Sequence, residues 1–181
     1  RVMSPKDLCT LPFIEKLKSA GIKTFKIEGR NRDARYVDTA VRVYRKALDK
    51  KLSQKEIEES LKELKTVYNR EFSSGFYLGS PTSDDWTSVE NSSATQKRHF
   101  IGKVLHYFDN LGVITLKVSS PFSVGEEICI IGKTTGIVKT KVERIEQNKK
   151  SIQEAKKGME VGIKVPSVVR KGDEVYVIRK S

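Results

Sequence analysis

The chain holds 181 residues, 37% of them hydrophobic, enough for one or two domains with real cores and outside the regime of disordered chains. Its formal net charge is +12, from 35 Lys and Arg against 23 Asp and Glu, with a pI near 9.7; this balance suits polyanions such as RNA, and equally a surface of solvated lysines. No stretch approaches the roughly 18 consecutive apolar residues of a membrane span, and the first residues lack the apolar run of a signal peptide, so the chain reads as soluble and cytoplasmic.

Thr10-Leu11-Pro12 sets an N-cap residue ahead of a first-turn proline, and Phe13, Ile14, Leu17 and Ala20 follow at helical spacing before Gly21. A short strand over Ile22 to Glu28 comes next. A second helix runs from about Ala34 to Lys50, with Val37, Val41, Tyr44 and Leu48 on one face. Ser53, with Glu56 three residues on, makes a capping box for a third helix whose stripe is Ile57, Leu61, Leu64 and Tyr68.

Residues 1 to 70 thus read helix, strand, helix, helix, with a single strand. A lone strand leaves backbone N–H and C=O groups unpaired along both edges, at a cost on the order of a kcal/mol for each one buried. Its partners are expected before residue 1, in further α/β crossover units, which makes this the C-terminal piece of a longer protein. Pairing with the second half of the chain is the alternative.

From about Arg70 to Gln96 the sequence turns rich in Ser, Thr, Gly and Asp, the composition of a connector, while Phe72, Phe76, Tyr77 and Trp86 give it anchors on a surface. After His99 the pattern is β throughout. Phe100 to Tyr107, Val113 to Val118, Glu127 to Ile131, Gly136 to Ile145, Met159 to Val165 and Glu174 to Ile178 are separated by turn residues, and six such strands suit a small antiparallel barrel or sandwich. The expected division is 1–70, a connector 71–98, and a β domain 99–181.

Chemistry-bearing residues are few. Cys9 and Cys129 lie far apart and form no C-x-x-C pair, and with His99 and His106 as the histidines no self-contained metal site or catalytic triad is legible. The charge excess is even: residues 1–98 carry 20 basic and 14 acidic groups, and the remainder 15 and 9.

Two stretches, "MSPKDLCTLPFIEKLKSAGIKTFKIEGRNRDARYVDTAVRVYRKALD" and "NREFSSGFYLG", resemble the C-terminal part of the catalytic domain of the collagenase-like peptidases, the group called U thirty-two in peptidase nomenclature. The resemblance covers roughly the first 80 residues and implies a modified (β/α) barrel whose final strand is Lys26-Ile27-Glu28-Gly29-Arg30. The family's recognised cysteine-containing signature lies upstream of this stretch and is absent here. In such barrels the chemistry sits at the C-terminal strand ends. Glu28 and Arg30 would then face the active cavity as carboxylate and anion clamp, or pair to close the barrel rim. Some relatives look like iron–sulfur proteins, which makes Cys9 at most one ligand of a cluster completed elsewhere in the parent, or a plain thiol. Cys129, within Ile128-Cys129-Ile130-Ile131, reads as core. The second half is similar to the accessory β-barrel that ends many of these proteins and to the second domain of elongation factor Tu.

Three functions follow from these readings. The parent is a hydrolase of collagen-like or other peptides, as the family name implies, although no activated nucleophile is legible. Alternatively the parent hydroxylates bases of tRNA or ribosomal RNA, as the resemblance also implies. The third reading, preferred for this chain, is a non-catalytic module whose barrel docks RNA, peptide or a partner subunit through Lys97, Arg98, Lys103, Lys139, Lys141, Lys149 and Lys150, residues that a solvated surface would equally display. Oligomeric state is not legible.

Overall fold

The computed structural model describes residues 4–89 and 91–181, so Arg1 and Met3, where the chain and its resemblance begin, lie outside the described residues. Residues up to Thr95 form one compact unit, and Gln96–Ser181 form a second.

The first unit contains β1 (Asp7–Leu8), a 3-10 turn over Leu11–Phe13 that runs into α1 (Ile14–Ser19), α2 (Ala34–Asp49), α3 (Gln54–Leu64) and β2 (Phe72–Ser73). Pro12 opens the first turn, where its missing N–H costs nothing. Gly21, at φ +86°, ends α1 in the left-handed region that a side chain would strain, and its N–H bonds the Lys18 carbonyl at 3.0 Å. Asp33 caps α2 by accepting from the Tyr36 N–H at 2.8 Å. The expected capping box of α3 is present: the Ser53 hydroxyl accepts from Glu56 N–H at 3.3 Å, and Glu56 Oε2 accepts from Ser53 N–H at 2.9 Å.

Of the two readings of the segment expected as a strand, pairing with the second half of the chain is overturned by the structure. Ile22–Glu28 enters no ladder, either with β1 and β2 or with the sheet of the second unit. Its period-two pattern survives only as burial, with Phe25 and Ile27 packed on the core of the first unit while Lys26 and Glu28 are exposed. A strand needs a neighbour about 4.8 Å away, and among the described residues of this unit the one ladder joins β1 to β2 in parallel, Asp7 with Phe72 and Leu8 with Ser73. Half of the face expected of α2 is found, since Tyr44 and Leu48 pack against the core. Val37 and Val41 are exposed, and the buried stripe is Thr39, Ala40, Val43 and Ala47.

Residues 71–89 run back along the start of the chain. Lys6 N–H bonds the Asp85 carbonyl at 2.8 Å, Asp7 N–H that of Glu71 at 3.0 Å, and Thr87 N–H that of Ser4 at 2.9 Å. Trp86 bridges to Pro5.

The second unit is β3 (Gln96–Phe108), β4 (Val113–Val118), β5 (Phe122–Ser123), β6 (Glu127–Gly132), β7 (Gly136–Lys141), β8 (Ile145–Gln147), β9 (Lys150–Ile152), β10 (Glu154–Ala155), β11 (Glu160–Lys164) and β12 (Glu174–Lys180). Eight of these make one antiparallel sheet in the order β7-β6-β12-β3-β4-β11-β8-β9, and β5 pairs with β10. All six expected runs are strands, but the count is larger. The expected run Gly136 to Ile145 breaks at Val142, whose side chain is fully buried and whose N–H bonds the Glu126 carbonyl at 2.9 Å. The additional strands β5, β9 and β10 are too short to leave a periodic signal. Ile114, Leu116, Val161, Ile163, Val175 and Val177 form the centre of the core, each contributing roughly 1.5–3 kcal/mol by burial.

Candidate functional site

In the first unit a cleft of about 510 Å³ opens between the start of the chain and α2, with Cys9, Lys26, Glu28, Arg32, Tyr36 and Tyr44 among its walls. Asp7 organises its polar side. The Asp7 carboxylate accepts from Arg70 three times, from N–H at 3.1 Å, Nε at 3.3 Å and Nη2 at 3.2 Å, and it pairs with Arg32 at 3.5 Å. The Arg32 guanidinium lies over the Tyr68 ring at 4.1 Å and the Tyr36 ring at 5.2 Å. Of the expected pair, Glu28 lines the cleft and accepts from the Arg30 backbone N–H at 2.7 Å, closing the turn, while Arg30 is exposed outside the lining.

Cys9 is buried, and its Sγ accepts from the Tyr44 hydroxyl at 3.6 Å. That hydroxyl in turn accepts from Thr10 N–H at 3.0 Å. Burial pushes the thiol and the phenol above their ordinary pKa values, so both stay protonated at neutral pH. Among the described residues no three His, Cys, Asp or Glu side chains converge on a point that could hold a metal ion. An iron–sulfur cluster takes four thiolates, and Cys9 is the one thiol of this unit among the described residues.

In the second unit the antiparallel register gathers a basic and aromatic surface on the side of β7-β6-β12-β3 that faces away from the core. Directly paired residues share a face, and one row runs Lys139, Cys129, Tyr176, Phe100. A neighbouring row runs Glu174, Lys103, Lys117, and on the other side Lys141 pairs with Glu127 and Arg98 with Ile178. Arg98 stacks over the Tyr176 ring at 4.7 Å, and Phe100 meets Tyr176 edge-on at 5.6 Å. Glu174 accepts from the Tyr176 hydroxyl and pairs with Lys103 at 3.7 Å. Burial and the Glu174 carboxylate raise the Tyr176 pKa.

Of the seven basic residues singled out in the sequence, Arg98, Lys103, Lys139 and Lys141 fall on this surface. Lys97 pairs with Arg179, so alternation puts it on the opposite side of β3. Lys149 and Lys150 stand at the β8–β9 turn, where Asn148 and Lys149 adopt positive φ. Cys129 is buried but alternates away from Ile128 and Ile130, and it lies beneath this surface and not in the core cluster. The Phe100–Tyr176 ring contact and the Asp7–Arg32–Arg70 cluster went unseen in the sequence, because both depend on pairings across more than 60 residues.

Two family models account for almost the whole chain: Peptidase family U32 matches residues 1–87, and the Peptidase family U32 C-terminal domain matches residues 96–176. The chain belongs to peptidase family U32. It is 39% identical over 180 residues to a collagenase of Porphyromonas gingivalis, covering 97% of this chain and 50% of that protein. It is 35% identical over 134 residues to a tRNA hydroxylation protein of Bacillus subtilis, covering 72% of this chain and 32% of that protein. The chain thus spans half the length or less of these relatives. The crystallised C-terminal domain of a U32 peptidase of Geobacillus thermoleovorans aligns at TM-score 0.41 and 23% identity, over 45% of this chain and 91% of that one. Among the described residues no helix is long and apolar enough to cross a membrane.

Proposed function

We propose that this chain is a non-catalytic substrate-binding region of a U32 protein, that its sheet unit binds RNA, and that the whole protein takes part in tRNA hydroxylation. The observation that carries this reading is the outer surface of β7-β6-β12-β3, where Arg98, Lys103, Lys139 and Lys141 outnumber Glu127 and Glu174 around two aromatic rings. With Lys97 and Arg98 included, the sheet unit Gln96–Ser181 carries 17 Lys and Arg against 9 Asp and Glu, a net +8. Lysines and arginines neutralise phosphates and release counterions, and aromatic rings take bases, so the two residue types together suit RNA better than an acidic peptide. The relative named for tRNA hydroxylation supports the same direction.

A second reading, binding of collagen-like peptide, rests on the relative named collagenase. The two separate in one titration. Labelled tRNA and denatured collagen are each titrated with the chain at rising salt. RNA binding that weakens linearly in log salt supports the proposal, whereas collagen binding with no tRNA binding at low salt overturns it.

A further inference from the structure

We propose that Phe100, Tyr176 and Arg98 form a stacking platform for an unpaired base, so that the RNA taken by this unit is single-stranded or looped and not a continuous double helix. The inference rests on the RNA-binding reading above and specifies the form of RNA.

The platform exists because β3 is bulged. In an unbroken strand, positions 100 and 103 would point to opposite faces. Here Tyr176 pairs with Phe100 and Val175 with Gly102, which leaves Ile101 as an extra residue and turns Phe100 onto the same side as Lys103. Gly102, next to the bulge, is at φ +153°, and a Cβ there would lie 2.0 Å from the Lys117 carbonyl oxygen, so the distortion is built into the strand by a residue that no other can replace. Its result is a ring placed toward solvent: Phe100 keeps 37% of its surface exposed although its β3 neighbour Ile101 is at 1%.

The three side chains then divide the work. Tyr176 is covered on one face by the Arg98 guanidinium and held at its hydroxyl by Glu174, which makes it a rigid support. Phe100 rests edge-on against Tyr176 and is the exposed ring. Lys139 lies in the same row, three interstrand steps or about 14 Å from Phe100, and Lys141 and Lys103 lie in the rows on either side. Rings flanked by cations at this separation suit a strand whose phosphates pass the lysines while a base is turned onto Phe100. In an A-form duplex the bases are stacked on one another, and the deep major groove does not admit a sheet surface.

The test uses the full chain with a labelled single-stranded RNA of about twelve nucleotides and the duplex of the same sequence. The wild-type chain is expected to bind the single strand more tightly. Phe100→Ala should weaken that binding roughly 5- to 150-fold, as loss of one base–aromatic stack does, leave the duplex affinity unchanged and leave the salt slope unchanged. Phe100→Leu keeps apolar volume without a ring face and should show the same loss, while Phe100→Trp should retain binding. Single-strand affinity of Phe100→Leu within twofold of wild type would overturn the platform while leaving RNA binding intact. If neither RNA form binds the wild-type chain at low salt, the RNA reading itself fails, and the platform with it.

Discussion

Asp7 holds Arg70 through three N–H···O contacts across 63 residues of sequence, and so locks the start of the chain to the segment that follows α3. The same carboxylate pairs with Arg32, which is stacked on Tyr68, so a single side chain gathers three separated parts of the unit. Both partners are partly buried, with side-chain exposures of 20% and 32%. Hydrogen bonds to charged groups are each worth about 1.5–3 kcal/mol. Asp7→Ala should therefore lower the stability of the first unit by about 2–4 kcal/mol, read in urea by the fluorescence of Trp86, the chain's one tryptophan, which lies in this unit. The transition of the sheet unit, read by β-sheet circular dichroism, should not move.

Cys9 and Tyr44 give the first unit a dependence on alkaline pH. Burial raises both folded-state pKa values, so the stability they contribute is fully present below the unfolded thiol value of about 8.5 and is lost as pH rises, first as the unfolded thiol ionises and then as the unfolded phenol does near 10. The urea midpoint reported by Trp86 should fall between about pH 8.5 and 11. In the double variant Cys9→Ala, Tyr44→Phe that part of the decline should disappear. A slope unchanged by the substitutions would contradict the account.

The cap of α3 responds at the acidic end. Contacts from Lys50 and from the Ser53 N–H and hydroxyl hold Glu56 down to about 2, so its contribution is present above the ordinary glutamate value and is lost as pH falls from about 4.5 towards 2. Removing the other half of the box with Ser53→Ala should cost about 1 kcal/mol at neutral pH. Backbone amide exchange across Gln54–Leu64 should then quicken before that of α2.

Gly102→Ala should destabilise the sheet unit by about 2–4 kcal/mol, because the Lys117 carbonyl occupies the place of the new methyl group. Exchange protection should be lost first along β3 and β4. A variant as stable as wild type would mean that the strands separate more easily than their register implies.

On the RNA-binding reading, Lys139→Ala and Lys141→Ala should each reduce the slope of log affinity against log salt by about 1. Lys150→Ala, at the β8–β9 turn and away from the basic surface, should leave the slope as it is. Equal effects at all three positions would point to diffuse attraction by net charge in place of a defined surface.

Local order was legible in the residues themselves. The capping box of Ser53 and Glu56, Pro12 and Gly21 at the two ends of the first helical segment, and the alternating runs of the second half act over a few positions, where steric freedom and short hydrogen bonds decide. The motifs between Ser4 and Gly79 likewise sufficed to indicate the family to which the chain belongs. Strand status at Ile22–Glu28 was not legible, because alternation specifies which side chains turn inward and a strand also requires a backbone partner. Nor could the sequence tell that Phe100 shares a face with Lys103 and Lys139. A one-residue bulge at Ile101 decides it, and a bulge is a property of two strands in register, not of either strand alone.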